Sequence, residues 1–347
     1  MAEGISRAAL DYPFDTPPAP GATLVLAPGV HWVRMPLPFP PDHINLWLIA
    51  DGDGWTIVDA GFSLDETKVH WESVFTTTLA GRPVTRVIVT HFHPDHIGLA
   101  DWLCTRWSAP LWMTAMEWAT ARAVHGQGSQ ADIESRVAFY RSHGATDALL
   151  SETSKPSNFY RRGVPAVPPS FHRIRAGTAV RIGGHEWRPI IGRGHAPEHA
   201  CLYCPDLGVL IGGDILLPRI SPNVSVWPAE PMANPLREYL DSLSAFRDLP
   251  DDTLVLPAHG LPYRGLHARI ATLKAHHAER LDALAAAIAA RPMSAVDCFP
   301  LLFRREIGPN VIGLATGEAV AHLRYLEVEG RARRDKDENG VWRFSPA

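Results

Sequence analysis

The stretch His91-Phe92-His93-Pro94-Asp95-His96 sets four possible metal ligands within six residues. Imidazole nitrogens suit zinc, iron or nickel, and a carboxylate among them adds charge and a harder oxygen. The preceding run, Val84 to Thr90, is apolar and β-branched and reads as a buried strand. Pro94 breaks strand geometry, so the four side chains can converge from a tight loop instead of alternating across a sheet. Metal binding is the chemistry these residue types predict.

Three further candidates follow, each at the end of an apolar segment and beside glycine. His195 lies in Gly192-Arg193-Gly194-His195-Ala196-Pro197-Glu198-His199, after the strand-like Trp187 to Ile191. Asp214 ends Gly208-Val209-Leu210-Ile211-Gly212-Gly213-Asp214, and His259 stands in Leu254-Val255-Leu256-Pro257-Ala258-His259-Gly260. The pattern is a strand, a turn that needs little bulk, then one ligand projecting from the strand's end. Alone, each is an ordinary polar loop residue. Together with the first loop they make five His and two Asp.

In this order, Val58-Asp59-Ala60-Gly61, the His91–His96 loop, Gly194-His195, Gly213-Asp214 and Ala258-His259-Gly260 resemble the metallo-β-lactamase superfamily of hydrolases. The resemblance covers roughly the first three quarters of the chain. It implies an α/β fold, a four-layer αβ/βα sandwich with metals at one edge. It also implies that His91, His93 and His195 hold one metal, that Asp95, His96 and His259 hold a second, and that Asp214 bridges them. Asp59 would orient the loop by hydrogen bonds behind the ligands; otherwise it is a turn aspartate before Gly61. Antibiotic-degrading members often carry cysteine at the Asp214 position, and flavin-linked di-iron members a glutamate at the His93 position. This chain is closer to the glyoxalase-II and lactonase types. Mononuclear iron members that oxidise persulfides share the first loop, but the full second-metal set favours a dinuclear site.

Two divalent ions at the usual spacing of about 3.5–4 Å lower the pKa of a shared water to about 7 and polarise the oxygen that gains charge. The resulting hydroxide needs no side-chain nucleophile. Asp95 is the candidate catalytic residue, hydrogen-bonding the nucleophile and passing a proton to the leaving group. Zinc is the expected metal, with iron or manganese compatible with an all nitrogen and oxygen set.

The elements that must position these residues are legible in outline. Leu24 to Phe62 reads as the first sheet, turning at Asp51-Gly52-Asp53-Gly54. A helix is expected over about Leu64 to Leu79 and another from near Gly98. Residues 112–173 read as a helical lid insertion, with helices near Ala115 to Val124 and Ala131 to His143. Tyr160, Arg161 and His172 there are candidate substrate contacts, or else they pack the insertion and face water. Asn223 is a further candidate contact or a turn former. His199 either supports the ligands from behind or caps backbone. Cys201 and Cys204 form a C-x-x-C, but residues three apart on a strand face opposite sides, which favours packing over a shared metal.

The catalytic domain is expected over residues 1–264 and a C-terminal domain over 265–347. Helices are expected over Pro235 to Phe246, Leu266 to Ala290, Ser294 to Phe303 and Thr316 to Val328, with a hairpin around Val341 to Phe344. This winged-helix pattern resembles the subgroup typified by β-lactamase-like protein 2, whose relatives include ribonucleases. Yet residues 292–347 hold eight Lys and Arg against eight Asp and Glu, and a nucleic-acid reader brings a basic face. Packing on the catalytic body or on a second copy in a homodimer is the preferred role.

With 46% hydrophobic residues in 347, the chain can bury a core of more than one domain. A net charge of −4 argues against general attraction to nucleic acid or anionic membranes. No apolar run is long enough to span a bilayer. The first residues, to about Gly21, lack the charged-then-apolar pattern of an export signal, and four scattered cysteines suit a reducing compartment. These features predict a cytoplasmic enzyme that cleaves a small ester, thioester or lactone. A phosphodiesterase or ribonuclease is the alternative, and a catalytically silent metal-binding regulator is a third reading.

Overall fold

The computed structural model describes residues 10–347, so the export-signal reading falls partly outside the described residues. Two sheets face each other. The first has seven strands in the order β1 (Thr23–Ala27), β2 (Val30–Pro36), β3 (His43–Asp51), β4 (Gly54–Val58), β5 (Val84–Ile88), β6 (Leu111–Met113) and β7 (His172–Arg173). It is antiparallel from β1 to β4 and parallel from β4 to β7. The second runs β12 (Leu254–Pro257), β11 (Val209–Gly213), β10 (His199–Cys204), β9 (His185–Gly192) and β8 (Val180–Ile182). Only its β11–β12 pair is parallel.

The strands are apolar on both faces because both faces are covered. In β3, Trp47 and Ile49 join Trp187, Leu202, Ile211 and Leu256 in the core between the sheets. Ile44, Leu46 and Leu48 face the opposite way, toward a core that includes residues of α1 (Asp65–Val74) and α3 (Ala100–Trp107). The period-2 alternation of a strand thus feeds two cores at once. Cys201 and Cys204 obey the same rule: one lies in the outer core and the other between the sheets, both as free thiols.

A short helix α2 (Pro94–Ile97) follows β5, with Pro94 in its first turn, where a missing N–H costs nothing. The helix expected from near Gly98 is α3, which begins at Ala100. Between β6 and β7 lie α4 (Ala115–Gly126), α5 (Gln130–Ser142), α6 (Asp147–Leu150) and α7 (Phe159–Gly163). The predicted insertion therefore begins and ends in strands of the first sheet, and only its middle is helical. A Ser129–Asp132 capping box starts α5.

On the outer face of the second sheet pack α8 (Pro235–Ser242) and α9 (Leu266–Ala290). Helix α9 buries Leu266, Ile270, Leu273, His277, Leu281, Leu284 and Ile288, a stripe at three- and four-residue steps. The expected helix Ser294–Phe303 is only a 3-10 turn, Val296–Cys298, and the four-residue α10 (Phe299–Leu302). Pro300 in its first turn cannot donate into a longer preceding helix. Then come α11 (Ile312–Val328) and the hairpin of β13 (Arg333–Lys336) and β14 (Trp342–Ser345). Every residue of α11 from Ala315 to Arg324 is buried. Among the described residues no helix is long and apolar enough to cross a membrane.

Candidate metal centre

The seven candidate ligands meet at one edge of the sandwich. His91, His93, Asp95 and His96 follow β5, His195 lies between β9 and β10, Asp214 follows β11 and His259 follows β12. They form two groups, His91–His93–His195–Asp214 and Asp95–His96–His259, each with its ligand atoms within 4.8 Å of one another. His91 Nε2 lies 2.9 Å from His93 Nδ1 and 3.2 Å from His195 Nε2. Asp214 faces both groups. Its Oδ2 is 3.2 Å from His195 Nε2, while Oδ1 is 3.5 Å from His96 Nε2 and 3.6 Å from His259 Nε2. Asp95 Oδ2 is 3.4 Å from His259 Nε2 and 3.7 Å from His96 Nε2.

Three of the rings are oriented from behind. His195 Nδ1 faces the carbonyl of Asn223 at 2.8 Å, and His259 Nδ1 that of His43 at 2.8 Å. A carbonyl accepts only, so both rings carry a proton on Nδ1 and turn Nε2 toward the centre. His96 Nδ1 donates to Asp59 Oδ2 at 2.8 Å, with both side chains buried. Asp59 also accepts from the Thr90 amide at 2.8 Å and from the Thr90 hydroxyl. Its φ of 62° is a left-handed conformation rare outside glycine, asparagine and aspartate, and these bonds hold it there.

His199 is fully buried, stacks on His91 with centroids 4.7 Å apart, and accepts the Asp214 amide on Nε2 at 3.1 Å. It therefore fixes the residue that faces both groups. Gly213 makes room for it: a Cβ there would lie 2.3 Å from His199 Nε2, on a backbone with φ of 50°.

The charge pattern calls for cations. Burial alone would depress His96, but the carboxylates of Asp59, Asp95 and Asp214 outweigh it and raise its pKa well above the ordinary value. His259 is raised the same way against burial, by Asp214 and Asp95. Asp214 goes well below the carboxylate range, because His259 and His96 overcome the opposing effect of burial. Burial and crowding by the other imidazoles hold His91 well below normal and His93 at about 3. His96 Nε2 and Asp214 Oδ1 are buried with no hydrogen-bond partner among the described residues. Imidazole nitrogens turned inward, ionised carboxylates among them and buried polar atoms left without partners together fit divalent metal.

The remaining candidates have other employment. Arg161 donates to the carbonyls of His125 and Gln127 at 2.8 Å, closing the C-terminal end of α4. His172 is exposed on β7 and stacks on Trp112 at 5.1 Å. The Asn223 side chain donates to Glu318 at 3.2 Å and accepts from Ser225 at 2.7 Å, leaving only its carbonyl for the centre. The Tyr160 hydroxyl donates to the Phe92 carbonyl at 2.7 Å, bracing the first loop.

Sequence reasoning missed the residues that tie the loops together. Glu117 of α4 is buried and accepts the amides of Phe92 at 2.9 Å and Glu198 at 2.6 Å, joining the two histidine loops. Its signal was an acid inside an otherwise apolar helix start. Asn45 of β3 donates to the carbonyls of Pro257 and Gly260, and Arg34 of β2 donates to that of Gly260, fastening the His259 turn. Their partners lie more than 200 residues away in sequence, beyond the reach of any local pattern.

The profile of the Metallo-beta-lactamase superfamily matches residues 39–259, a span that contains all seven candidate ligands. The chain belongs to that superfamily. The profile of the metallo-beta-lactamase-like C-terminal domain matches residues 281–347. A β-lactamase domain protein from Burkholderia ambifaria is 48% identical, with a TM-score of 0.91 over 97% of this chain and 98% of that one. The metallo-beta-lactamase family protein TTHA1429 from Thermus thermophilus is 28% identical, with a TM-score of 0.76 over 93% of this chain and all of that one. The "Probable metallo-hydrolase YqjP" of Bacillus subtilis is 25% identical, covering 86% of this chain and 92% of its own length. Superfamily membership places the chain among metallo-hydrolases and says nothing of its substrate.

Proposed function

We propose that this superfamily member is a dinuclear metal-dependent hydrolase that cleaves a small ester, thioester or lactone. The observation that carries the reading is Asp214, whose two oxygens face the two ligand groups separately. When bound, two divalent ions, zinc being the preferred identity, would acidify a shared water and polarise the scissile carbonyl. The chain's own residues do the rest. His199 and Gly213 hold Asp214 in place. Asp59, Asn223 and His43 aim the three imidazoles that contact them. Asp95 Oδ2, beside His259 and His96, is the proposed carrier of the proton to the leaving group.

Preference for a carbonyl substrate is supported by the C-terminal region. Helix α11, the position of a nucleic-acid-reading helix, is buried over most of its length. Arg331 pairs with Asp282, and Arg334 and Arg324 both pair with Glu327, so these cations are offset by acids. The silent-regulator reading loses support because none of the seven ligands is substituted.

The test is metal content with initial rates on an aryl ester, an acyl thioester, a lactone, bis(p-nitrophenyl) phosphate and a short RNA. Two metals per chain and turnover confined to carbonyl substrates is the expected result. Turnover confined to the phosphodiesters overturns it in favour of a nuclease. Full turnover by Asp95→Asn with both metals bound removes Asp95 from the proton-transfer role.

A further inference from the structure

The chain after Asp214 runs from Ile215 to Ala233 with no helix or strand, yet much of it is buried. A buried irregular segment must have its backbone carbonyls satisfied from elsewhere. Here α8, α9 and the segment before α9 supply the donors. The hydroxyls of Tyr239 and Tyr263 donate to the carbonyls of Ile215 and Leu216. Arg269 of α9 donates to those of Leu217 and Ile220 at 2.6 and 2.7 Å. Further on, the segment lies directly against α11. The Val226 amide donates to the Gly317 carbonyl at 3.1 Å, and a Cβ on Gly317 would come within 2.7 Å of the Ser225 side chain.

At that contact Glu318 reaches across. One carboxylate oxygen accepts from Arg280 of α9 at 2.7 Å, and the other accepts from the Asn223 amide group at 3.2 Å. Both members of the Arg280–Glu318 pair are 7% exposed. Asn223 in turn presents its carbonyl to His195 Nδ1. The line Arg280–Glu318–Asn223–His195 therefore runs from the C-terminal helices to a ligand of the centre.

We infer that Glu318 is a positioning residue for the metal ligand His195, acting through Asn223, and that the C-terminal region is thereby part of the metal centre's support. The inference rests on the proposed metal-binding role of His195. A buried carboxylate paired with one arginine has one spare oxygen, and here it accepts from Asn223. That choice fixes the loop, the carbonyl and the ring's tautomer together. Groups that orient ligands in this way alter metal affinity about 10–100-fold when removed.

The experiment uses the full-length chain stripped of metal and titrated with Co2+ against a chromophoric chelator, with visible spectra of the loaded protein. Variants are Glu318→Ala, Glu318→Gln, Asn223→Ala and Gly317→Ala. Asn223→Ala keeps the carbonyl but loses the tie to Glu318, and it leaves no buried charge unpaired. The expected result is Co2+ affinity weakened about 10–100-fold at one site, with altered d–d bands, in Glu318→Ala and Asn223→Ala. Glu318→Gln, which can still accept from Asn223, is expected to recover part of the loss. Wild-type affinity and spectra in folded Glu318→Ala and Asn223→Ala would overturn the inference. Should Glu318→Ala not fold, Asn223→Ala and Gly317→Ala decide between the same two results. A wild-type protein that binds fewer than two ions overturns the dinuclear reading alone, and the variants' affinity for the remaining ion still decides the role of Glu318.

Discussion

The backbone amide of Glu198 donates to the buried carboxylate of Glu117 at 2.6 Å. The other oxygen takes the Phe92 amide, so one side chain holds the His91–His96 loop against the His195 loop. Burial pushes the Glu117 pKa up to about 7 despite these two donors. Glu117→Gln has one oxygen for two amides. It is expected to lose about 1–3 kcal/mol of stability and to weaken metal retention, measured by chemical denaturation and by metal content after dialysis. Unchanged values in both would remove the clamp role.

Asp59→Asn isolates the chemistry behind His96. Asparagine tolerates the left-handed backbone that Asp59 adopts. It also brings an amide donor that can face the His96 Nδ1 proton and push it toward the ligand nitrogen. The expected outcome is a loss of metal affinity of about 10–100-fold at the Asp95–His96–His259 group. Chelator competition reads this directly, and an affinity equal to wild type would count against it.

Gly213→Ala strains the backbone and drives a methyl group into His199. Overpacking of this kind costs about 1–3 kcal/mol. Because His199 holds Asp214, the variant is also expected to lose metal from both groups at once. A lowered melting temperature with two metals still bound would separate the steric effect from the supposed hold on Asp214.

Acid should destabilise the protein through buried histidines outside the ligand set. Burial lowers His143 to about 4 and His322 to about 3. Their neutral forms are favoured only when folded, so between pH 6.5 and 4 the unfolded chain binds more protons. Stability present above pH 6.5 is then lost on acidification, by about 1.4 kcal/mol per pH unit for each histidine. Denaturation of the metal-free protein from pH 7 to 4.5 should show this slope, and His322→Gln should reduce it by one histidine's share. An unchanged slope in that variant would exclude His322 as a source.

The sequence by itself determined the ligand chemistry. Clustered histidines, a proline that ends a strand, and glycines before single His or Asp residues are local signals, and local sterics and donor chemistry set what they can do. It also determined the main strands, because period-2 burial on a covered sheet leaves an apolar signature, as in β3 and β11. Helices α4, α5 and α9 were legible within a few residues. The region from Ser294 to Phe303 was not, since amphipathic spacing is shared by one helix and by two short turns, and Pro300 decided between them.

Asp59 and His199 were legible as supports behind the ligands; only the tertiary structure decided the others. Glu117, Asn45, Arg34 and Glu318 act on partners brought near by the packing of the two sheets and the C-terminal helices. Tertiary packing likewise gave Asn223, Arg161 and Tyr160 their partners within the chain, a carboxylate for the first and backbone carbonyls for the other two. A hydrogen bond is specified by the position of both partners, and a sequence states only which groups exist.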